Sequence, residues 1–192
     1  MPSAMIPYAV LKWGWIVFGS FWLLAAFAQK RNARRQTVGS RLMQVSIIAL
    51  VVLPFFFEGR PSSLLYRHLY PNLLGVQYVG VLLLLLGLWF AVWARFVLGR
   101  NWSGIVTVKE DHTLITRGPY AWVRHPIYTG ILLALLGTAV TLGTILNFVE
   151  VPVVAFAFWL KLRTEERFML ETFGEQYAAY RHHVKALIPY VI

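Results

Sequence analysis

Arg117-Gly118-Pro119-Tyr120-Ala121-Trp122-Val123-Arg124-His125-Pro126-Ile127-Tyr128-Thr129-Gly130 is where polar, proline-punctuated chain gives way to a long apolar run. Proline has no N–H and a φ near helical values, so Pro126 suits the first position of a helix that Ile127 to Thr141 continues, with His125 as its cap. The first turn of such a helix leaves backbone N–H groups unpaired and turns the positive end of its dipole toward Arg124 and His125. A carboxylate or phosphate could be held there, with Tyr120, Trp122 and Tyr128 available to stack on a flat ring. The same residues also suit an ordinary helix start at a membrane edge with snorkelling aromatics and cations, and the stretch alone does not separate the two.

The rest of the chain places that stretch in a bilayer. Of 192 residues 58% are apolar and 16% aromatic, and the mean hydropathy of +0.61 is too high for a soluble domain of this length. The expected fold is an all-α integral membrane protein of about five transmembrane helices. Residues 1–192 are expected to form one membrane domain, with three spans in 1–98 and a helical hairpin in 99–192. The net charge of +10 comes from cations beside apolar runs without any nucleic-acid motif, so anionic membrane lipids explain it better than nucleic acid. No cysteine is present, which removes disulfides, thiolate nucleophiles and cysteine metal sites. The first apolar run lacks a small-residue cleavage site and reads as an anchor rather than a removed signal.

The spans are expected at Tyr8 to Ala28, Leu42 to Phe57, Leu73 to Leu98, Ile127 to Thr141 and Ile145 to Leu160. The second carries Pro54 and is short enough to be kinked or tilted. Leu142-Gly143-Thr144 links the last two as a tight helical hairpin. Glu150 and Pro152 would fall in the first turns of the last span, where both are structural. The cluster Lys30, Arg31, Arg34, Arg35 and Arg41 puts that loop on the cytoplasmic side, the N-terminus outside and the C-terminus inside, as in a prokaryotic inner membrane. Under this layout only Lys12, Arg60 and Arg67 of the 18 cations lie outside. Gly99 to Arg124 reads as a cytosolic loop with a short hairpin-like piece. From Arg163 to Arg181, Met169, Phe173, Tyr177 and Tyr180 recur at the spacing of one amphipathic helix face on the membrane surface or the loop.

One inner face thus gathers His112, Arg117, Arg124, His125, Lys161, Arg163, Glu165 and Glu166. A proline-started helix, aromatic plates and an acid pair suit a zwitterionic cofactor with a flat ring, and S-adenosyl-L-methionine fits that description. Glu165-Glu166 equally suits the first turn of a surface helix, complementing its dipole. His112 and His125 lack a recognised metal-ligand spacing, so no metal is expected. His182-His183 reads as solvated.

The order His112-Thr113-Leu114-Ile115, Gly118-x-Tyr120, Arg124-His125-Pro126-x-Tyr128, Glu165-Glu166, Phe173-Gly174-x-x-Tyr177-x-x-Tyr180 and Pro189 resembles the integral-membrane isoprenylcysteine carboxyl methyltransferases. The related phospholipid methyltransferases share the same C-terminal half. The resemblance covers Gly99 onward, and the five-span layout looks like the short prokaryotic members. It implies S-adenosyl-L-methionine in a cytosol-facing pocket, leaving as S-adenosyl-L-homocysteine, and a lipophilic or lipidated acceptor entering from the bilayer. By motif, His112, Thr113, Leu114, Ile115 and Tyr120 would line the adenosine part, His125, Pro126, Ile127 and Tyr128 the methionine part, and Glu165 another edge. The family tends to carry an arginine at the end of the last span as an acceptor contact. Lys161 stands there instead, with Arg163 two residues on, so either could hold the acceptor's carboxylate.

Methyl transfer from a sulfonium asks mainly for positioning and water exclusion. A carboxylate acceptor needs no base, whereas an amine acceptor would need Glu165 or Glu166 to take a proton. A non-enzymatic membrane subunit is the rival of a different class, and cofactor binding separates it from both.

Overall fold

The computed structural model describes residues 5–27, 64–99 and 114–189, which form helices joined by bends, short turns and two isolated bridges. Helix α1 runs Met5–Phe27, α2 Leu74–Leu98, α3 Pro126–Leu142, α4 Ile145–Phe173 and α5 Glu175–His183, with 3-10 turns at Leu64–Tyr66 and Gly118–Ala121. Three stretches, Ile6–Ala25, Leu74–Leu98 and Ile145–Phe173, are long and apolar enough to cross a membrane, and α3 is a shorter apolar helix of 17 residues. The expected span at Leu42 to Phe57 and most of the loop after Gly99 lie outside the described residues.

Helices α2 and α3 form the centre because glycines let their backbones touch. A Cβ added at Gly137 would sit 2.3 Å from the Leu84 nitrogen, and one at Gly87 would sit 2.5 Å from the Gly130 oxygen. Gly80 and Gly87 on one helix, and Gly130 and Gly137 on the other, recur two turns apart and so line one stripe of each antiparallel partner. In a bilayer apolar burial adds little between helices, so this close van der Waals contact carries much of the packing. Helix α1 lies against the pair through Leu11, which joins Leu84, Leu88, Ala134 and Leu142 in one cluster. Its Trp15 Nε1 donates to Thr138 Oγ1 at 3.0 Å. On the other side Val154 and Phe158 of α4 pack on Leu135 of α3.

The hairpin between α3 and α4 is as tight as its sequence requires. Gly143 takes φ +69° and gives its N–H to the Ala139 carbonyl, a left-handed position that suits glycine. Thr144 caps α4, accepting from the Asn147 N–H at 3.4 Å. The segment before α2 closes over this turn, Leu69 N–H bonding the Gly143 carbonyl and Ile145 N–H the Arg67 carbonyl. At the opposite end of the bundle Pro126 opens α3, with His125 at the cap position and no hydrogen bond from its side chain to the helix.

Helix α4 differs from expectation. Its 29 residues are unbroken, about 43 Å long at 1.5 Å per residue against a hydrocarbon core of ~30 Å. No glycine or proline follows Pro152 until Gly174, and the charged residues after Leu160 are good helix formers, so the helix continues past its apolar part. It ends where Gly174 takes φ +52°. Met169 and Phe173 therefore belong to α4 and Tyr177 and Tyr180 to α5, and the four do not form one helical face. Glu165 and Glu166 lie in the interior of α4, so they do not complement a helix N-terminus. Glu150 and Pro152 are the sixth and eighth residues of α4, in its second and third turns. Glu150 is buried, and its Oε1 has no hydrogen-bond partner among the described residues.

Candidate active site

The start of α3 and the charged turns of α4 meet at one end of the bundle. The His125 ring lies parallel to the Tyr128 ring, 5.6 Å between centroids, and Tyr128 stacks on Phe158 at 4.5 Å. This three-ring ladder runs from the polar edge into the apolar contact between α3 and α4.

Two adjacent carboxylates stand beside it in different circumstances. Glu165 shares a helix face with Lys161, whose Nζ is 3.8 Å from Glu165 Oε1. The Tyr128 hydroxyl donates to that oxygen at 2.6 Å, and His125 Nδ1 is 3.6 Å from Oε2. Glu166 points about 100° further round the helix. Its Oε1 accepts from Arg124 Nε at 2.9 Å and Arg124 Nη2 at 2.6 Å, with His125 Nε2 at 3.3 Å. Arg181 Nε lies 3.5 Å from its Oε2. The Glu166 side chain is 8% exposed and Glu165 25%, so Glu166 is enclosed by cations while Glu165 can still be reached.

The C-terminal segment completes the arrangement. Val123 and Lys185 form a parallel bridge; Arg124 N–H bonds the Lys185 carbonyl at 2.8 Å and His125 N–H the Ala186 carbonyl at 3.0 Å. Thr129 Oγ1 donates to the Leu187 carbonyl at 2.7 Å, and Arg124 Nη1 donates to the Val184 and Arg181 carbonyls. The anion site expected at the start of α3 is thus narrowed, since the N–H groups of Arg124 and His125 are already used. Those of Ile127 and Tyr128 are the ones that helix geometry leaves over. Sequence reading missed this strap because it works through carbonyls, which carry no residue signature. It also left out Phe158 and Arg181, and gave Arg124 no role of its own; only the adjacency of Arg124 to His125 hinted at one.

The remaining expected residues divide. Tyr120 is buried in the 3-10 turn and its carbonyl accepts from the Tyr180 hydroxyl at 2.6 Å. Burial first, then the nearby Tyr180 hydroxyl and Glu165 carboxylate, hold the Tyr120 phenol above its usual range, so it stays neutral. Pro126 is fully buried, and Leu114, Ile115 and Ile127 are half-buried. His112 and Thr113 lie outside the described residues. Trp122 stacks on Phe90 of α2, away from the ladder. Arg163 is exposed, its guanidinium 3.8 Å above the Trp159 ring, on a different face from Lys161.

Residues 76–176, just over half the chain, match the family described as phospholipid methyltransferase. The chain belongs to that family. Among its relatives, a fission-yeast protein-S-isoprenylcysteine O-methyltransferase is 38% identical over 99 residues, 48% of this chain and 41% of that one. The Saccharomyces cerevisiae enzyme of the same name is 33% identical over 59% of this chain and 48% of its own. These alignments span under half of either yeast protein. A probable protein-S-isoprenylcysteine O-methyltransferase of Oryza sativa subsp. indica is 29% identical over 92% of both chains. The solved structure of a eukaryotic intramembrane Ras methyltransferase, an isoprenylcysteine carboxyl methyltransferase, superposes with a TM-score of 0.50 at 24% identity, covering 83% of this chain and 55% of that one. That last likeness is one of fold.

Proposed function

We propose that this chain transfers a methyl group from S-adenosyl-L-methionine to the carboxylate of a lipid-tailed acceptor such as a prenylated cysteine. The observation that carries the reading is the Glu165 hub: one reachable carboxylate, with Lys161, His125 and the Tyr128 hydroxyl around it, at the charged end of an apolar bundle. The residues present fit the cofactor by their chemistry. Glu165 suits an ammonium or ribose hydroxyl, and the outer face of the His125 ring, at the end of the ladder away from Tyr128, suits a flat ring. The leftover N–H groups of Ile127 and Tyr128 suit a carboxylate. Leu114, Ile115, Tyr120 and Pro126 would form the apolar wall, with His112 and Thr113 assigned by the family motif alone. When bound, the cofactor supplies a methyl group on a sulfonium and leaves as S-adenosyl-L-homocysteine.

The chain's own residues then have three tasks. Lys161, held between Glu165 and the Tyr128 ring, presents an ammonium to the acceptor's carboxylate. As a point charge it attracts without the bidentate geometry of an arginine. Arg163 faces elsewhere, which favours Lys161 for this contact. Glu166 acts through Arg124 by positioning His125 rather than by touching substrate. Glu166 is already engaged by the Arg124 guanidinium and is not free to take a proton from an acceptor. That supports a carboxylate over an amine acceptor, which would have to lose a proton. The site would face the cytoplasm and the acceptor would enter from the bilayer, where each buried CH₂ of its tail contributes about 0.8 kcal/mol to partitioning.

Calorimetry in detergent should detect S-adenosyl-L-methionine binding to the wild type. Glu165→Gln and His125→Ala should each weaken it by roughly 1.5–3 kcal/mol, the range for a hydrogen bond to a charged group. Labelled methyl should appear on a farnesylated or acylated thiol-acid far faster than on its short-chain analogue, and Lys161→Met should raise the acceptor's KM while leaving cofactor affinity in place. Absence of cofactor binding would overturn the reading. Equal turnover of the short analogue would remove bilayer entry, and methylation of amino-lipids alone would replace the acceptor with the amine expected of a phospholipid methyltransferase.

A further inference from the structure

Arg163 and Arg167 stand one turn apart on α4, both exposed, on the side of the helix away from Lys161 and Glu165. Neither pairs with a carboxylate among the described residues, whereas Arg124, Lys161 and Arg181 all do. The Arg163 guanidinium carbon lies over the Trp159 ring, 3.8 Å from its centre, and Trp159 stacks on Phe156 at 5.7 Å. Leu160 is 45% exposed and Phe156 60% on the same side. Along this face, then, apolar side chains lead to an indole, then to a guanidinium over it, then to a second guanidinium.

The spacing matches the layers of a bilayer edge. Arg163 lies about 5 Å beyond Leu160 at 1.5 Å per residue, inside a headgroup layer on the order of 5–8 Å deep, and Arg167 about 10 Å beyond, just past its outer edge, with a side chain long enough to reach back. The contact with the indole restrains the Arg163 side chain, and a guanidinium fork matches a phosphate oxygen pair. Tryptophan at this depth favours the interface.

We propose that Arg163 and Arg167, with Trp159 and Phe156 beneath them, bind the headgroup of an anionic phospholipid of the surrounding bilayer. This site lies apart from the methyl-transfer pocket and does not depend on the activity proposed for it. It also gives Arg163 a task other than holding the acceptor.

Native mass spectrometry of the detergent-solubilised protein, titrated with phosphatidylglycerol or phosphatidylcholine, tests it. The wild type should retain phosphatidylglycerol at least about tenfold more tightly than phosphatidylcholine. The double variant Arg163→Gln, Arg167→Gln should lose that preference and keep its phosphatidylcholine binding. Trp159→Leu should weaken phosphatidylglycerol by a smaller factor, and inorganic phosphate alone should not displace the lipid. Gel-filtration profile and thermal midpoint report whether each variant is folded; if the double variant is not, Trp159→Leu and Arg163→Lys decide. Equal retention of the two lipids by the wild type, or an undiminished preference in a folded variant, would overturn the proposal, and displacement by inorganic phosphate would reassign the site to a soluble anion.

Discussion

Arg124→Met is expected to destabilise the protein by about 3 kcal/mol, the lower end of the 3–5 kcal/mol seen when one partner of a buried ion pair is removed. The pair is enclosed, with side chains 9% and 8% exposed and a closest approach of 2.6 Å. Loss of Arg124 strands the Glu166 carboxylate, and half-exposed Arg181 at 3.5 Å offsets only part of that. It also frees the Val184 and Arg181 carbonyls, so the strap over His125 should loosen and cofactor affinity should fall with stability. Adding Glu166→Leu should recover much of the stability, because no charge is then left buried, but not the affinity. Denaturation in detergent, read as a double-mutant cycle with calorimetry beside it, measures both. A loss under about 1 kcal/mol would place the pair with ordinary surface salt bridges.

Gly137→Val is expected to be worse than the usual 1–3 kcal/mol of overpacking. Even the first added carbon would lie 2.3 Å from the Leu84 nitrogen and 2.5 Å from the Gly80 oxygen. Those are backbone atoms of a helix, which cannot rotate away as a side chain would, so α2 and α3 would have to separate along their length. Trp15 would lose Thr138 and the start of α3 would shift against α4, carrying the site with it. Gly19→Ala in α1 is the control, since nothing lies within 4 Å of the added carbon; it should be neutral or gain up to about 1 kcal/mol from helix propensity. Size-exclusion survival after heating compares the two. A Gly137→Val protein as stable as wild type would mean that α2 and α3 are not held at backbone contact.

Much of this molecule follows from sequence alone, because its signals are local. Apolar runs of span length, the proline at 126, the turn Leu142-Gly143-Thr144 and the motif around Arg124-His125-Pro126 each depend on a few neighbouring residues obeying backbone geometry. The family resemblance was legible for the same reason, since the matching residues stand in fixed order from His112 onward. Tertiary structure decided what depends on direction and distance. Glu165 and Glu166 are one residue apart in sequence, yet rotation by one helical step gives one a reachable hub and the other a cage of cations. The difference comes from Arg124 and Arg181, some 42 residues before and 15 after Glu166. The same geometry separates Lys161 from Arg163. That α4 runs unbroken to Gly174 is local too, since no glycine or proline interrupts the chain after Pro152, but which of its charged residues meet Arg124 and His125 is set by the contact with the start of α3. The fit of Gly80 and Gly87 to Gly137 and Gly130 likewise exists only once two helices some 50 residues apart lie side by side.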